Sequence, residues 1–215
     1  MDHDSPLERL RQASQGDRKQ LAELLDQHRA GLRKMIQVRL DRRLQGRVDP
    51  SDVIQEAFIE ASARLHDYLA NPSMPFFVWL RFITAQKLAI LYRHHVRTQA
   101  RDANREISLY SGVLPEASSA ALAQQLLGRQ TSPSQAALRA ERKFRLEEAL
   151  NRMQTIDREV LLLRHFEELG NLETASVLSI SPTAASNRYV RALKRLKEIL
   201  AEMSGGEKRP SGART

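Results

Sequence analysis

The chain has 215 residues, no cysteine, and 34 basic against 26 acidic side chains, for a net charge of +8. That length suits one or two small domains, and the missing cysteines exclude disulfides, thiolate metal centres and a cysteine nucleophile, as fits a reducing cytoplasm. No apolar run approaches the ~20 residues of a membrane span, and the opening Met1-Asp-His-Asp-Ser-Pro6 does not read as a signal peptide.

Helical patterning runs through most of the sequence. Glycine is sparse, at 9 residues, and no segment sustains strand alternation, so an all-α fold is predicted. Asp17-Arg-Lys-Gln20 has the form of a capping box. Behind it Leu21, Leu24, Leu25, His28, Leu32, Met35 and Ile36 recur at helical steps, as one buried face. Asp49, followed by Pro50, is the expected N-cap of a second helix, whose apolar face is Val53, Ile54, Ala57, Phe58, Ala61 and Leu65. Asn71-Pro-Ser-Met-Pro75 breaks it, and a third helix over about 76–96 is dense in large side chains.

The pattern then dissolves into Ala, Ser, Gln and Gly, with Pro115 and Pro133; a short helix over 120–127 is the only periodic piece. A structureless run of roughly 35–40 residues is unusual inside one domain, which predicts two small helical domains joined by a flexible linker. The expected boundaries are an N-terminal segment 1–15, a first domain 16–98, a linker 99–139, a second domain 140–203 and a disordered tail 204–215.

In the second domain Asp157 is the expected cap of a helix whose face is Val160, Leu161, Leu163 and Phe166. A short helix over 172–178, a tight turn at Ser179-Ile180 and a longer helix capped by Ser181 with Pro182 form the helix-turn-helix pattern. Ala175 supplies the small residue where the two helices meet, and Ile180 the apolar plug of the turn. Ala185, Tyr189, Ala192, Leu193 and Leu196 are the expected inner face; Thr183, Ser186, Asn187, Arg188, Arg191, Lys194, Arg195 and Lys197 the outer one. Residues 140–181 carry six basic and eight acidic side chains, and residues 182–200 five basic and one acidic. The positive charge thus sits on the element that would enter a major groove, where side chains near the helix start reach base edges and flanking cations hold phosphates. An amphipathic helix with a solvated basic face is the plainer alternative.

Two further constellations stand out. Asp49, Asp52, Glu56 and Glu60 occur without an intervening base, and Asp52 and Glu56 lie one turn apart. Read alone, they are the acids that a helix N-terminus favours; an acidic docking surface is the alternative. The third helix joins Phe76, Phe77, Trp79, Phe82 and Tyr92 to a basic end at Lys87, Arg93, Arg97, Arg101 and Arg105. Aromatics interleaved with cations suit unstacked single strands, although the three-residue steps of Phe76, Trp79 and Phe82 suit a packed core better than base stacking.

Taken together these residues resemble the sigma-70 family of bacterial initiation factors, in its compact extracytoplasmic-function (ECF) group. Val48-Asp-Pro-Ser-Asp-Val-Ile-Gln-Glu-Ala-Phe58 is similar to the family's region 2.2, and Phe77-Val-Trp-Leu80 with Ile83 and Ala85 to region 2.3. Leu146–Met153, Arg158–Arg164, Ile180-Ser181 and Ala192–Leu196 resemble region 4. The resemblance implies core RNA polymerase and promoter DNA as partners, and leaves room for an anti-sigma factor or other inhibitor. It implies that Asp49, Asp52, Gln55 and Glu56 dock on the polymerase, and that the third helix, through Trp79, Gln86, Lys87, Arg93 and Arg97, opens and holds the −10 element. It implies that Thr183, Ser186, Asn187, Arg188, Arg191 and Lys194 read the −35 element. Ser179 stands where the family's turn glycine is usual, which costs about 1–2 kcal/mol if that residue is left-handed. Asn171, Leu172 and Thr174 also depart from the pattern and imply a more loosely packed first helix.

Nothing in the chain points to an enzyme, a cofactor or a metal. It holds no P-loop, zinc-protease or nucleophile-elbow motif, and His94-His95 has no evident partners. Carboxylates exposed one turn apart lack the burial that shapes a catalytic pair. A stand-alone helix-turn-helix regulator acting as a dimer is the remaining alternative; it would footprint a palindrome unaided.

Overall fold

The structure is a computed structural model that describes residues 6–14, 18–40, 46–99, 118–127 and 136–206. Ten helices and no β-strand occur among the described residues. They divide into two compact units, the first carrying α1–α5 and the second, from Ala117 onward, α6–α10 apart from Ser176–Ser179, which group with the first. Asp17, Arg101, Arg105 and the linker residues 100–117 and 128–135 lie outside the described residues, as does the tail from 207.

The first unit comprises α1 (Pro6–Ser14), α2 (Arg18–Gln27), α3 (Arg29–Arg39), α4 (Pro50–Ala70) and α5 (Phe76–Gln99). Its core takes Leu32, Met35 and Ile36 from α3, Val53, Ile54, Ala57 and Ala61 from α4, and Leu80, Ile83 and Leu88 from α5. Burying each of the larger of these side chains contributes about 1.5–3 kcal/mol. Helix α1, expected to stand outside the first domain, is part of this body, because its Leu10 is buried with Leu65 and Tyr68.

The apolar face expected as continuous from Leu21 to Ile36 is divided between α2 and α3. The chain breaks at His28, whose ring packs 5.6 Å from Phe76 and 5.2 Å from Phe77. Gly31 then lets α5 come close, since a Cβ there would stand 3.0 Å from Cζ of Phe77. The start of α4 follows the expected cap: Ser51 N–H donates to Asp49 Oδ1 at 2.8 Å, and Pro50 occupies the first position. At its far end, the hydroxyl of Tyr68 donates to the carbonyl of Met74 at 2.9 Å and ties down the proline-rich break.

The second unit comprises α6 (Ser119–Leu126), α7 (Ala136–Asn151), α8 (Thr155–His165), α9 (Asn171–Leu178) and α10 (Pro182–Gly206). The short helix foreseen within the linker is α6, and it packs on α7 and α8 with Leu122 and Ala123 buried. The stretch expected as linker therefore supplies a core element. Gln154, not Asp157, caps α8; Asp157 sits within the first turn, its backbone N–H donating to the Gln154 carbonyl. Thr174 does not loosen α9. It is fully buried, and its hydroxyl donates to the Gly170 carbonyl at 2.8 Å.

Candidate functional site

The turn between α9 and α10 is built as the helix-turn-helix pattern requires. Ala175 is buried at the crossing, and the Ile180 N–H donates back to its carbonyl at 3.0 Å. Ser179 adopts φ 54°, the left-handed conformation that a glycine would take without strain. Ser181 Oγ accepts from the Ala184 N–H at 3.2 Å, capping α10 ahead of Pro182.

On α10, Ala185, Ala192 and Ile199 are fully buried and Tyr189 and Leu196 half-buried, which fixes the inner stripe. Leu193 is off that stripe and 40% exposed, which corrects its expected inner place. Opposite the stripe stand Thr183, Asn187, Val190, Arg191 and Lys194, all exposed and at three- and four-residue steps. Val190 had no place in the expected set; it is 63% exposed amid polar neighbours.

Two of the expected −35 readers are engaged within the unit. Arg188 precedes Ala192 by one turn and so flanks the buried side, where its Nη1 donates to Asp157 Oδ1 at 3.0 Å. Ser186 is exposed, but its hydroxyl donates to Asn171 Oδ1 at 3.1 Å, while Asn171 Nδ2 donates to the Pro182 carbonyl at 2.9 Å. Tyr189 OH lies 3.0 Å from His165 Nε2, with the Arg164 guanidinium 5.5 Å from its ring centre. The placement of Arg188 on the outer face is thus corrected; Thr183, Asn187, Arg191 and Lys194 keep it.

In the first unit, α4 presents a second stripe. Asp52, Gln55 and Glu56 are exposed, and Ile59, 72% exposed, continues them. Asp49 is exposed as well, and its carboxyl is held below the ordinary carboxylate range, chiefly by the Ser51 N–H bond. Glu60 faces another way. Lys87 Nζ lies 3.1 Å from its Oε2 and Arg64 pairs with its other oxygen. The Lys87 hydrogen bond, then the Arg64 and Lys87 charges, hold Glu60 below the ordinary range.

On α5 the expected −10 set divides. Trp79 is half-buried, stacks on Tyr68 with ring centres 4.6 Å apart and packs against the core, the arrangement its three-residue spacing favours. Lys87 is turned to Glu60. Gln86 is half-buried and Arg93 exposed, and the apolar Phe82 (44% exposed) and Ile90 (52%) share their face at steps of three and four. The side chain of Arg97 lies outside the described residues. Periodicity does not mark Phe82 and Ile90 as surface residues, because α5 is apolar nearly all round, whereas Ile59 lies outside the apolar face expected for α4 and is exposed.

Among the described residues no group of three His, Asp or Glu could hold a metal, and no helix is long and apolar enough to cross a membrane.

The capped turn and the cationic outer face of α10 define a helix-turn-helix DNA-binding protein. The family model described as Sigma-70, region 4 matches residues 143–196, which cover that element. The chain is 30% identical over 191 residues to the ECF RNA polymerase sigma factor SigD of Mycobacterium tuberculosis, spanning 88% of this chain and 82% of that protein. It is 28% identical over 155 residues to the RNA polymerase sigma factor CnrH of Cupriavidus metallidurans, spanning 71% and 73% of the two chains. The structure of CnrH in complex with the cytosolic domain of CnrY shares the fold, with a TM-score of 0.53 at 23% identity, covering 93% of this chain and 99% of that one. The chain belongs to the ECF group of sigma-70 RNA polymerase sigma factors.

Proposed function

We propose that the two units divide the work of initiation between polymerase and promoter. The exposed stripe of α4 (Asp52, Gln55 and Glu56, with Asp49 at its head) docks on a basic surface of core RNA polymerase. The face of α5 that carries Gln86 and Arg93 takes the unpaired −10 strand. An exposed aromatic such as Phe82 beside an amide suits a base taken out of its stack. The helix α10 enters the −35 duplex, where Thr183 and Asn187 near its start reach base edges and Arg191 and Lys194 meet phosphates. Trp79 and Lys87 support the −10 face from behind through Tyr68 and Glu60.

The observation that carries this reading is the outer stripe of α10. Thr183, Asn187, Arg191 and Lys194 are exposed together on one face and have no partner among the described residues. The protein acts as a non-enzymatic subunit in the cytoplasm. A protein inhibitor that covers these stripes is a further partner in this proposal; CnrH, of like fold, was solved with the cytosolic domain of CnrY bound.

Run-off transcription with purified core polymerase on a library of genomic fragments tests the reading. Discrete transcripts that need this chain are expected. A palindromic footprint made by the chain alone, with no such transcripts, would reject it.

A further inference from the structure

The polar contacts that tie the start of α10 to the rest of its unit carry an inference about how the helix is aimed. Arg188 and Asp157 are 31 residues apart in sequence and join the second turn of α10 to the first turn of α8. Both side chains are largely covered, at 27% and 16% exposure, so the pair is shielded from solvent more than an ordinary surface bridge. On the adjoining turn Tyr189 meets His165 at the other end of α8. Two points along α8 are therefore fastened to two consecutive residues of α10, which fixes rotation of α10 about its own axis as well as its distance. Thr183, Asn187 and Arg191 point where that rotation puts them.

We propose that Arg188 is a positioning residue: its ion pair with Asp157 sets the rotation of α10, and it does not itself hold a promoter phosphate. This rests on the reading of α10 as the −35 helix.

The full chain, assembled with core polymerase, is titrated on a labelled genomic promoter fragment recovered by run-off transcription with the unaltered protein. Arg188→Gln and Asp157→Asn are each expected to weaken binding about five- to tenfold, and the double variant no more than either alone, as one shared interaction requires. The slope of log affinity against log salt stays unchanged in all three, because no phosphate contact is lost. The ratio of affinities for the fragment and for versions with single −35 bases replaced falls toward one. A change in the folded fraction scales every fragment equally and leaves that ratio alone, so this readout separates aiming from mere stability.

Tighter binding or a steeper salt slope in Asp157→Asn would overturn the proposal, since it would mean that a phosphate-binding arginine had been released. A slope lower by about one in Arg188→Gln would overturn it too, as would weaker binding with an unchanged base ratio. Arg191→Ala separates this failure from that of the −35 reading. If it alters neither affinity nor slope, α10 is not the reading helix at all.

Discussion

Helices α4 and α10 follow the same construction and carry opposite charge. Each begins with a polar cap and a proline, Asp49-Pro50 in one and Ser181-Pro182 in the other. Each buries a single apolar stripe. Between them α4 holds four acids and one arginine, and α10 five basic residues and two acids. In both, the charges flanking the buried stripe are used internally: Glu60 is held by Lys87 and Arg64, and Arg188 by Asp157. Charges opposite the stripe remain exposed, among them Asp52 and Glu56 in one case and Arg191, Lys194 and Lys197 in the other. A count of charge along a helix therefore overstates its docking surface. The angle from the buried stripe decides which charges brace the fold and which meet a partner.

Reversing the free charges breaks the comparison most sharply. Asp52→Lys with Glu56→Lys places cations against a basic polymerase surface, and like charges across an interface cost several kcal/mol. Core-polymerase binding is expected to fall by at least about tenfold in a competition titration, with the thermal transition of the first unit in place. Unchanged affinity would remove α4 from the interface. Arg191→Ala with Lys194→Ala is the counterpart on α10. It should lower the salt slope of promoter binding by about two and weaken −35-dependent transcription. An unchanged slope would mean that the outer stripe of α10 meets no phosphates.

Glu60 tests the braced class. Its carboxyl is held below its ordinary value of 4.5, first by the Lys87 hydrogen bond, so the folded unit binds this proton less readily than the unfolded chain. The stabilisation is present above that pH and is lost as pH falls through the depressed value. Glu60→Gln should thus lower the melting temperature at neutral pH, and the gap to the unaltered protein should begin to narrow below about pH 4.5 and close as pH falls through the depressed value. A gap that persists in acid would mean that packing, not charge, holds α4 to α5 there.

The helices themselves were legible because the caps and periodic faces are local signals: Asp49-Pro50, Ser181-Pro182 and the stripe from Val53 to Leu65 all fell as read. The break at His28 was not legible, since it answers to Phe76 and Phe77, far along the chain. Nor was the packing of α6, a short Ala- and Gln-rich helix set in a stretch that reads as linker until Leu122 and Ala123 find α7. Site residues were legible as types and less so as directions. Arg188 could have been moved inward by its one-turn spacing to Ala192, but its partner Asp157 was already assigned as a cap. Trp79 and Lys87 fit a strand-binding face by chemistry, and only Tyr68 and Glu60, on another helix, show them turned into the fold.

The smallest expected effect concerns how the two helices are entered. A left-handed residue precedes each of them, Gly46 at φ 89° before α4 and Ser179 at φ 54° before α10. Gly46 meets this demand freely, and a Cβ added there would touch nothing within 4 Å, so Gly46→Ser is opposed by backbone strain alone. Ser179 already bears that strain. Ser179→Gly removes it but gives the unfolded chain more freedom, an offset of about 0.4–1 kcal/mol against a strain of about 1–2 kcal/mol. The net gain lies between about 0 and 1.6 kcal/mol, and a mid-range gain of about 0.8 kcal/mol is a rise of about 3–6 °C in the melting temperature. Gly46→Ser should shift the first unit by a similar amount downward. If Ser179→Gly instead lowers the melting temperature, the serine hydroxyl contributes to the turn more than its backbone costs, and the two helix starts are not equivalent.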